Sequence, residues 1–357
     1  IIAKMLGVSI PEVMEGITSD PSVGGELIVE WSDADGQANS RQAVLSANEI
    51  VLTRSALHTA QQLGLLDALA AEFALVAPRS LLDDVQEEVR EAERLVEQGH
   101  TTIGSTDAGL AVTKLEAGDV RLVRNRDRLR ESLAWLEAKV QIVTRPVETI
   151  PAVGSEEEEV RDHIGRSSQD AVALAKHRGA VLYVDDIGLR RFFPSGSFST
   201  ISLLQGLVER GVLNSDARDH HLVFLVTRHI GHVAPSKELL NEALRRSGEL
   251  GHEGLATVFG LIAGPGLTVL TAAQIVVQVV KAQVSATIRL APTSQIVSLS
   301  LDAMSVVWPV RLCIQAMAQV AADELVLLPH TRQEVADACL EFLKQALGTI
   351  ANGHSHT

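Results

Sequence analysis

The side chains best placed to do chemistry are acidic and clustered. Within residues 169–189, QDAVALAKHRGAVLYVDDIGL, Asp170 precedes the apolar run and Asp185-Asp186 follow it. The pattern predicts helix, turn, strand and acidic loop, with Asp170 opening the helix. Asp170 and Asp186 are sixteen residues apart, yet a helix that packs back along its own strand brings both to one end of a sheet. Two further positions meet the same demand. Thr53 follows the apolar stretch EIVL, and Asp84, with Asp83 beside it, lies early in the helix after FALVAP. Carboxylates gathered at the C-terminal edge of a parallel sheet can hold a divalent cation. Such an ion activates water and offsets charge on a phosphate in an in-line displacement.

The elements that must position these residues follow from periodicity. Strands are expected at 49–52, 73–77 and 141–144. Helices are expected at 54–69, at 81–98 with Ser80 as cap, at 125–140 and at 199–210, and the glycines of 101–123 suggest an inserted hairpin. Strand and helix alternating at this spacing argue for an α/β domain with a parallel sheet over 48–233. Residues 1–47 read as an accessory segment, with a short helix at 11–17 and a β-hairpin whose strands are 26–31 and 41–45 around a turn at 33–36. Residues 146–155 read as a loop and the acidic run 156–159 as a solvated helix start. From 234 to 357 the period is helical almost throughout, which predicts an all-helical C-terminal extension.

Composition narrows the classes. A net charge of −14 argues against a general polyanion-binding surface, while leaving room for a local basic groove. The two cysteines, Cys313 and Cys339, are too few for a disulfide framework and suit free thiols in the cytoplasm. Residues 254–280 carry no charge, but Gly264-Pro265-Gly266 cuts the run and Gln274, Gln278, Lys281 and Ser285 stripe one helical face. That predicts a buried helix and no membrane span. The first residue is Ile1, so the chain is expected to be a piece of something longer. No glycine-rich phosphate fingerprint and no GxSxG elbow occurs. His220, His221, His229 and His232 read as surface or capping residues. The basic stretch RLVRNRDRLR, with Arg124, Arg126 and Arg128 at its centre, has two readings: contact to a nucleic-acid backbone beside the acids, or a solvated face paired with Asp127 and Glu131.

Four stretches in this order resemble the PIN-domain family, a metal-dependent ribonuclease fold. They are VLTRSALHTAQQLGLLDAL (51–69), ALVAPRSLLDDVQEEV (74–89), QDAVALAKHRGAVLYVDDIGLRRF (169–192) and FSTISLLQGLVERGVL (198–213). The resemblance covers about residues 48–233. It implies that Asp84, Asp170 and Asp186, with Asp185 as neighbour, hold Mg²⁺ or Mn²⁺; in a nuclease so built, Arg124, Arg126 and Arg128 would hold the RNA backbone. The family usually has an Asp at the end of its first strand, where this chain has Thr53, a neutral and weak ligand. Two functions therefore stand open: an RNA phosphodiesterase of reduced activity, or a PIN fold without catalysis that serves as an interaction or regulatory module. In the second, the apolar C-terminal helices would supply a protein or self-association surface.

Overall fold

The computed structural model describes residues 27–30, 33–106, 109–144, 165–191, 193–194, 196–231, 233–264 and 266–353. The helix expected at 11–17, the loop at 146–155, the acidic run at 156–159 and His232 lie outside these. The described residues form two compact units, one ending at Val212 and the other starting at Leu213.

The first unit is built on a parallel sheet. Its strands are β2 (Glu49–Leu52), β3 (Ala74–Pro78), β6 (Gln141–Val143), β7 (Val181–Tyr183) and β8 (Ser197–Phe198), in the order β6-β3-β2-β7-β8. Ile50 pairs with Leu75 on one side and Val181 on the other, and Leu52 pairs with Tyr183. The apolar runs explain the centre. Ile50, Val51 and Leu52 are all but inaccessible, as central strands covered on both faces must be. Chain order runs outward from β2 through β3 to β6, then resumes at β7 on the other side of β2. That reversal opens a crevice at the C-terminal ends of β2 and β7, where Thr53 and Asp185-Asp186 lie.

Helices cover the sheet. Helix α6 (Arg166–Arg178) lays Ala171, Val172, Leu174 and Ala175 against Val51, Val76 and Leu182. On another side α1 (Ala34–Ser46) meets α8 (Thr200–Glu209). They approach so closely that a Cβ on Gly206 would lie 2.3 Å from a Val44 methyl, so this contact requires glycine. Helix α2 (Arg54–Gln62) follows β2, α3 (Leu66–Glu72) precedes β3, and α4 (Arg79–Gln98) follows β3. The antiparallel β4 (His100–Thr106) and β5 (Gly109–Leu115) form the expected hairpin. Helix α5 (Val120–Lys139) then returns along α4, with Leu129 among Val89 and Ala92.

Several expectations change. The segment 41–45 is not a return strand. It lies inside α1, and Asp33 caps that helix by accepting a 2.7 Å bond from the Gly36 amide. An Asp-x-x-Gly cluster serves a turn or an N-cap with the same local chemistry, and Ala43, Val44 and Ala47 bury the helical face. Among the described residues before it, only Leu27–Ile28, β1, is strand. Helix α5 begins at Val120 rather than 125, capped by Asp119. Helix α4 begins at Arg79, directly after Pro78, so Ser80 is no cap. Helix α6 begins at Arg166, which places Asp170 in its second turn instead of at its start. Strand β6 is an exposed-to-intermediate edge.

The second unit is helical: α9 (Ser215–Val226), α10 (Lys237–Arg245), α11 (Ser247–Gly260), α12 (Val269–Ser285), α13 (Thr293–Val307), α14 (Val310–Glu324) and α15 (Pro329–Gly353). Helix α9 packs against α10, so this unit starts earlier than the change of hydrophobic pattern at 233/234. Helix α12 buries Ala272, Val276, Val277, Val279 and Val280. Among the described residues, no helix is long and apolar enough to cross a membrane. Cys313 and Cys339 are buried free thiols.

Candidate functional site

The crevice is lined by the starts of α2, α4 and α6 and by the turn after β7. Its β2–β7 side is a dry hydrogen-bond network. Thr53, 3 % exposed, caps α2, accepting a long 3.5 Å bond from the Ala56 amide while its hydroxyl donates to the Tyr183 carbonyl at 2.9 Å. Ser55 Oγ accepts from the Asp185 amide at 3.2 Å. Asp185 is itself buried. Its Oδ1 accepts the Thr200 amide at 2.7 Å and its Oδ2 the Thr200 hydroxyl at 2.5 Å. Burial pushes the Asp185 carboxyl upward, while bonds from Thr200 and Thr59 and the charge of Arg190 pull the other way. Tyr183 lies against the same network, 2.6 Å from Thr200 Oγ1, and its hydroxyl is pushed well above the ordinary value by burial and then by the Asp185 charge. Asp186 points one residue further and caps α7 (Ile187–Arg190) through the Leu189 amide at 3.1 Å.

The α4–α6 side is ionic. Asp84 and Glu88 are four residues apart on α4 and so share a face. Arg54, the first residue of α2, donates from Nε to both Glu88 oxygens, at 3.1 and 3.0 Å, and from Nη2 to Oε2. Its side chain is 2 % exposed and Glu88's 17 %. Asp84 keeps an exposed edge, yet neighbouring protein crowds its carboxyl. Desolvation raises its pKa, a hydrogen bond with Ser167 lowers it, the Glu88 charge raises it and the Arg54 charge lowers it. Asp170 accepts a 2.6 Å bond from Ser80 and lies 3.8 Å from Arg166.

The acids are thus distributed over different partners: Asp84 with Ser167 and Arg54, Asp170 with Ser80, Asp185 with Thr200, Asp186 with the end of α7. Among the described residues, no group of three His, Cys, Asp or Glu side chains converges to hold a metal ion. The decisive residue absent from the sequence reading is Arg54. Its neighbour Thr53 drew attention instead, and the only visible hint was the i, i+4 spacing of Asp84 and Glu88, two acids on one face awaiting a cation.

The arginines of α5 are engaged on its surface. Arg121 pairs with Asp119, Arg126 with Asp127 at 2.6 Å and Arg130 with Glu93, while Arg128 donates to Asn125 Oδ1 at 2.8 Å. Arg124 is exposed. Arg121, Arg126 and Arg130 thus find their acids in Asp119, Asp127 and Glu93, of which the sequence suggested Asp127. In the second unit His220 lies 3.3 Å from Glu242, and burial lowers the pKa of His221.

A parallel sheet with its crevice at β2 and β7, flanked by acid-bearing helices, defines a PIN-like α/β class. Residues 51–193 match the family model described as "PIN domain associated with the TPR-GreAB-C-PIN system", and this part of the chain is a PIN-family domain. Neither the comparison with curated proteins nor that with solved structures gives a match. PIN domains are generally metal-dependent. The residues here do not fit that ion: Thr53 has no charge and its oxygen already bonds within the protein, no carboxylate triad forms among the described residues, and a guanidinium is bound to Glu88, one helical turn from Asp84.

Proposed function

We propose that this chain is a PIN fold that works without hydrolysing RNA, as an interaction or regulatory module of a larger protein system. The observation that supports it is the pairing of Arg54 with Glu88 beside Asp84, a protein cation at the edge where catalysis would require a metal. In this reading Thr53, Asp84, Asp170, Asp185 and Asp186 are the remnant of a catalytic site that now stabilises the crevice. The family's description names a TPR-GreAB-C-PIN system, which supports a setting among other protein modules. Exposed apolar residues of the helical unit, Val306, Val307 and Leu327, offer contact area for a protein partner or a second copy. The buried free thiols suit the reducing cytoplasm.

The test is cleavage of labelled single-stranded RNA with Mn²⁺ or Mg²⁺. The wild-type chain is expected to cleave no faster than Asp170→Asn. Cleavage above that background, abolished by Asp170→Asn, would establish the metal-dependent ribonuclease instead, with Arg124, Arg126 and Arg128 as the RNA contacts to test next.

A further inference from the structure

We propose that Arg54 is the built-in cation of the crevice, and that a divalent metal can return only when positions 53 and 54 are changed together. This rests on the reading of the domain as non-hydrolytic and adds a second lesion to the visible one at Thr53.

A guanidinium presents five N–H donors in a fixed plane and stays charged at every relevant pH. Arg54 directs Nε and Nη2 at Glu88, while its Nη1 is buried without a protein partner. The side chain cannot swing away into solvent, because it is 2 % exposed at the first turn of α2. Its charge also acts on Asp84. One fixed positive charge is therefore bound by Glu88 and acts more weakly on Asp84, one helical turn away. A divalent ion placed among the same carboxylates would meet that charge at short range. The buried Nη1 is a donor and cannot ligate a cation.

An Asp at position 53 would add one negative charge, and Arg54 would still repel the ion. The prediction is thus sharper than restoration of the first acid. In equilibrium Mn²⁺ titrations followed by electron paramagnetic resonance of the free ion, wild type and Thr53→Asp are expected to show no saturable site below millimolar Mn²⁺. Their thermal midpoints should be the same in Mn²⁺ and in EDTA. Thr53→Asp/Arg54→Gln is expected to bind Mn²⁺ at least about tenfold more tightly than Thr53→Asp, to gain a Mn²⁺-dependent rise in midpoint, and to lose both on adding Asp84→Asn.

Arg54→Gln leaves Glu88 unpaired and could impair folding. Thr53→Asp/Arg54→Gln/Glu88→Gln removes both charges together and provides a second folded background. Tight Mn²⁺ binding by Thr53→Asp alone overturns the proposal, as does failure of folded Arg54→Gln backgrounds to bind. These outcomes are separate from the RNA assay: a wild type that cleaves no RNA, beside a Thr53→Asp variant that binds Mn²⁺, keeps the non-hydrolytic reading and removes Arg54 as its cause.

Discussion

Among the described residues of the first unit, two arginines with buried side chains pair with glutamates, and they differ in what surrounds them. Arg190 donates from Nη1 to Glu30 at 2.8 Å and to the Val29 carbonyl at 2.6 Å, and from Nη2 to Ser40. The second oxygen of Glu30 accepts from the hydroxyls of Ser199, at 2.6 Å, and Ser202. The pair is 0 % and 2 % exposed, and it ties residues 29–30 to α1, α7 and α8. Arg54–Glu88 joins only α2 to α4, and a further acid, Asp84, lies one helical turn from Glu88 and feels the Arg54 charge. The same ion pair is a strut in one place and a counter-charge in the other. Enclosure by further hydrogen bonds makes the first; an adjacent acid at a crevice makes the second.

The largest effect should come from breaking the strut. Arg190→Met is expected to cost about 3–5 kcal/mol in urea unfolding, because it strands Glu30 in the interior. Adding Glu30→Met should recover much of that loss. Arg54→Met is expected to cost clearly less, since Glu88 is partly exposed and can be hydrated. Equal losses at the two arginines would erase the distinction between them.

A smaller loss is expected at Thr53. Thr53→Val keeps the volume but removes the cap of α2 and the bond to the Tyr183 carbonyl, for about 1–2 kcal/mol in the same measurement. An unchanged stability would mean that the hydroxyl is not structural, and would return it to the list of groups free to serve a ligand.

The contrast also separates what local pattern can and cannot say. Strands β2, β3 and β7 were legible because buried parallel strands are short unbroken apolar runs, here EIVL, ALVAP and VLY. Their order places the residues after β2 and β7 at one crevice, so Thr53 and Asp185-Asp186 could be found as neighbours. Side-chain partnership was not legible. Arg54 and Glu88 are 34 residues apart, and Arg190 and Glu30 are 160 apart. Nothing in helical or strand periodicity selects one glutamate over another at such separations. Asp170 illustrates the intermediate case: the helix was visible, but its start at Arg166 was not, since no side-chain cap marks Gly165. Helix α1 was missed because Asp33 and Gly36 suit a hairpin turn as well as a cap. Only the buried face made by Ala43, Val44 and Ala47 decides between them.

The smallest effect tests whether the Arg54 pair is electrostatically coupled to the crevice at all. The Asp84 carboxyl sits above its ordinary value of 3.8, first through desolvation, with Ser167 and Arg54 holding it down and Glu88 and Asp83 pushing it up. A carboxyl whose folded pKa is raised binds protons more tightly in the native state. Its contribution to stability therefore falls as pH climbs from about 3.8 through the raised folded value, and the loss is complete above it. Asp84→Asn abolishes that loss. The variant should match wild type in acid and gain stability at neutral pH, by less than about 1 kcal/mol because solvent screens its exposed edge. In an Arg54→Gln background the gain should grow, since the cation that lowers the Asp84 pKa is gone, whereas in a folded Arg190→Met background it should stay the same. Urea unfolding of the wild type, the three single variants and the two doubles at pH 4 and pH 7 reads this coupling directly. A gain that ignores Arg54 would show that the guanidinium belongs to Glu88 alone, and the two arginine pairs would then be struts of the same kind.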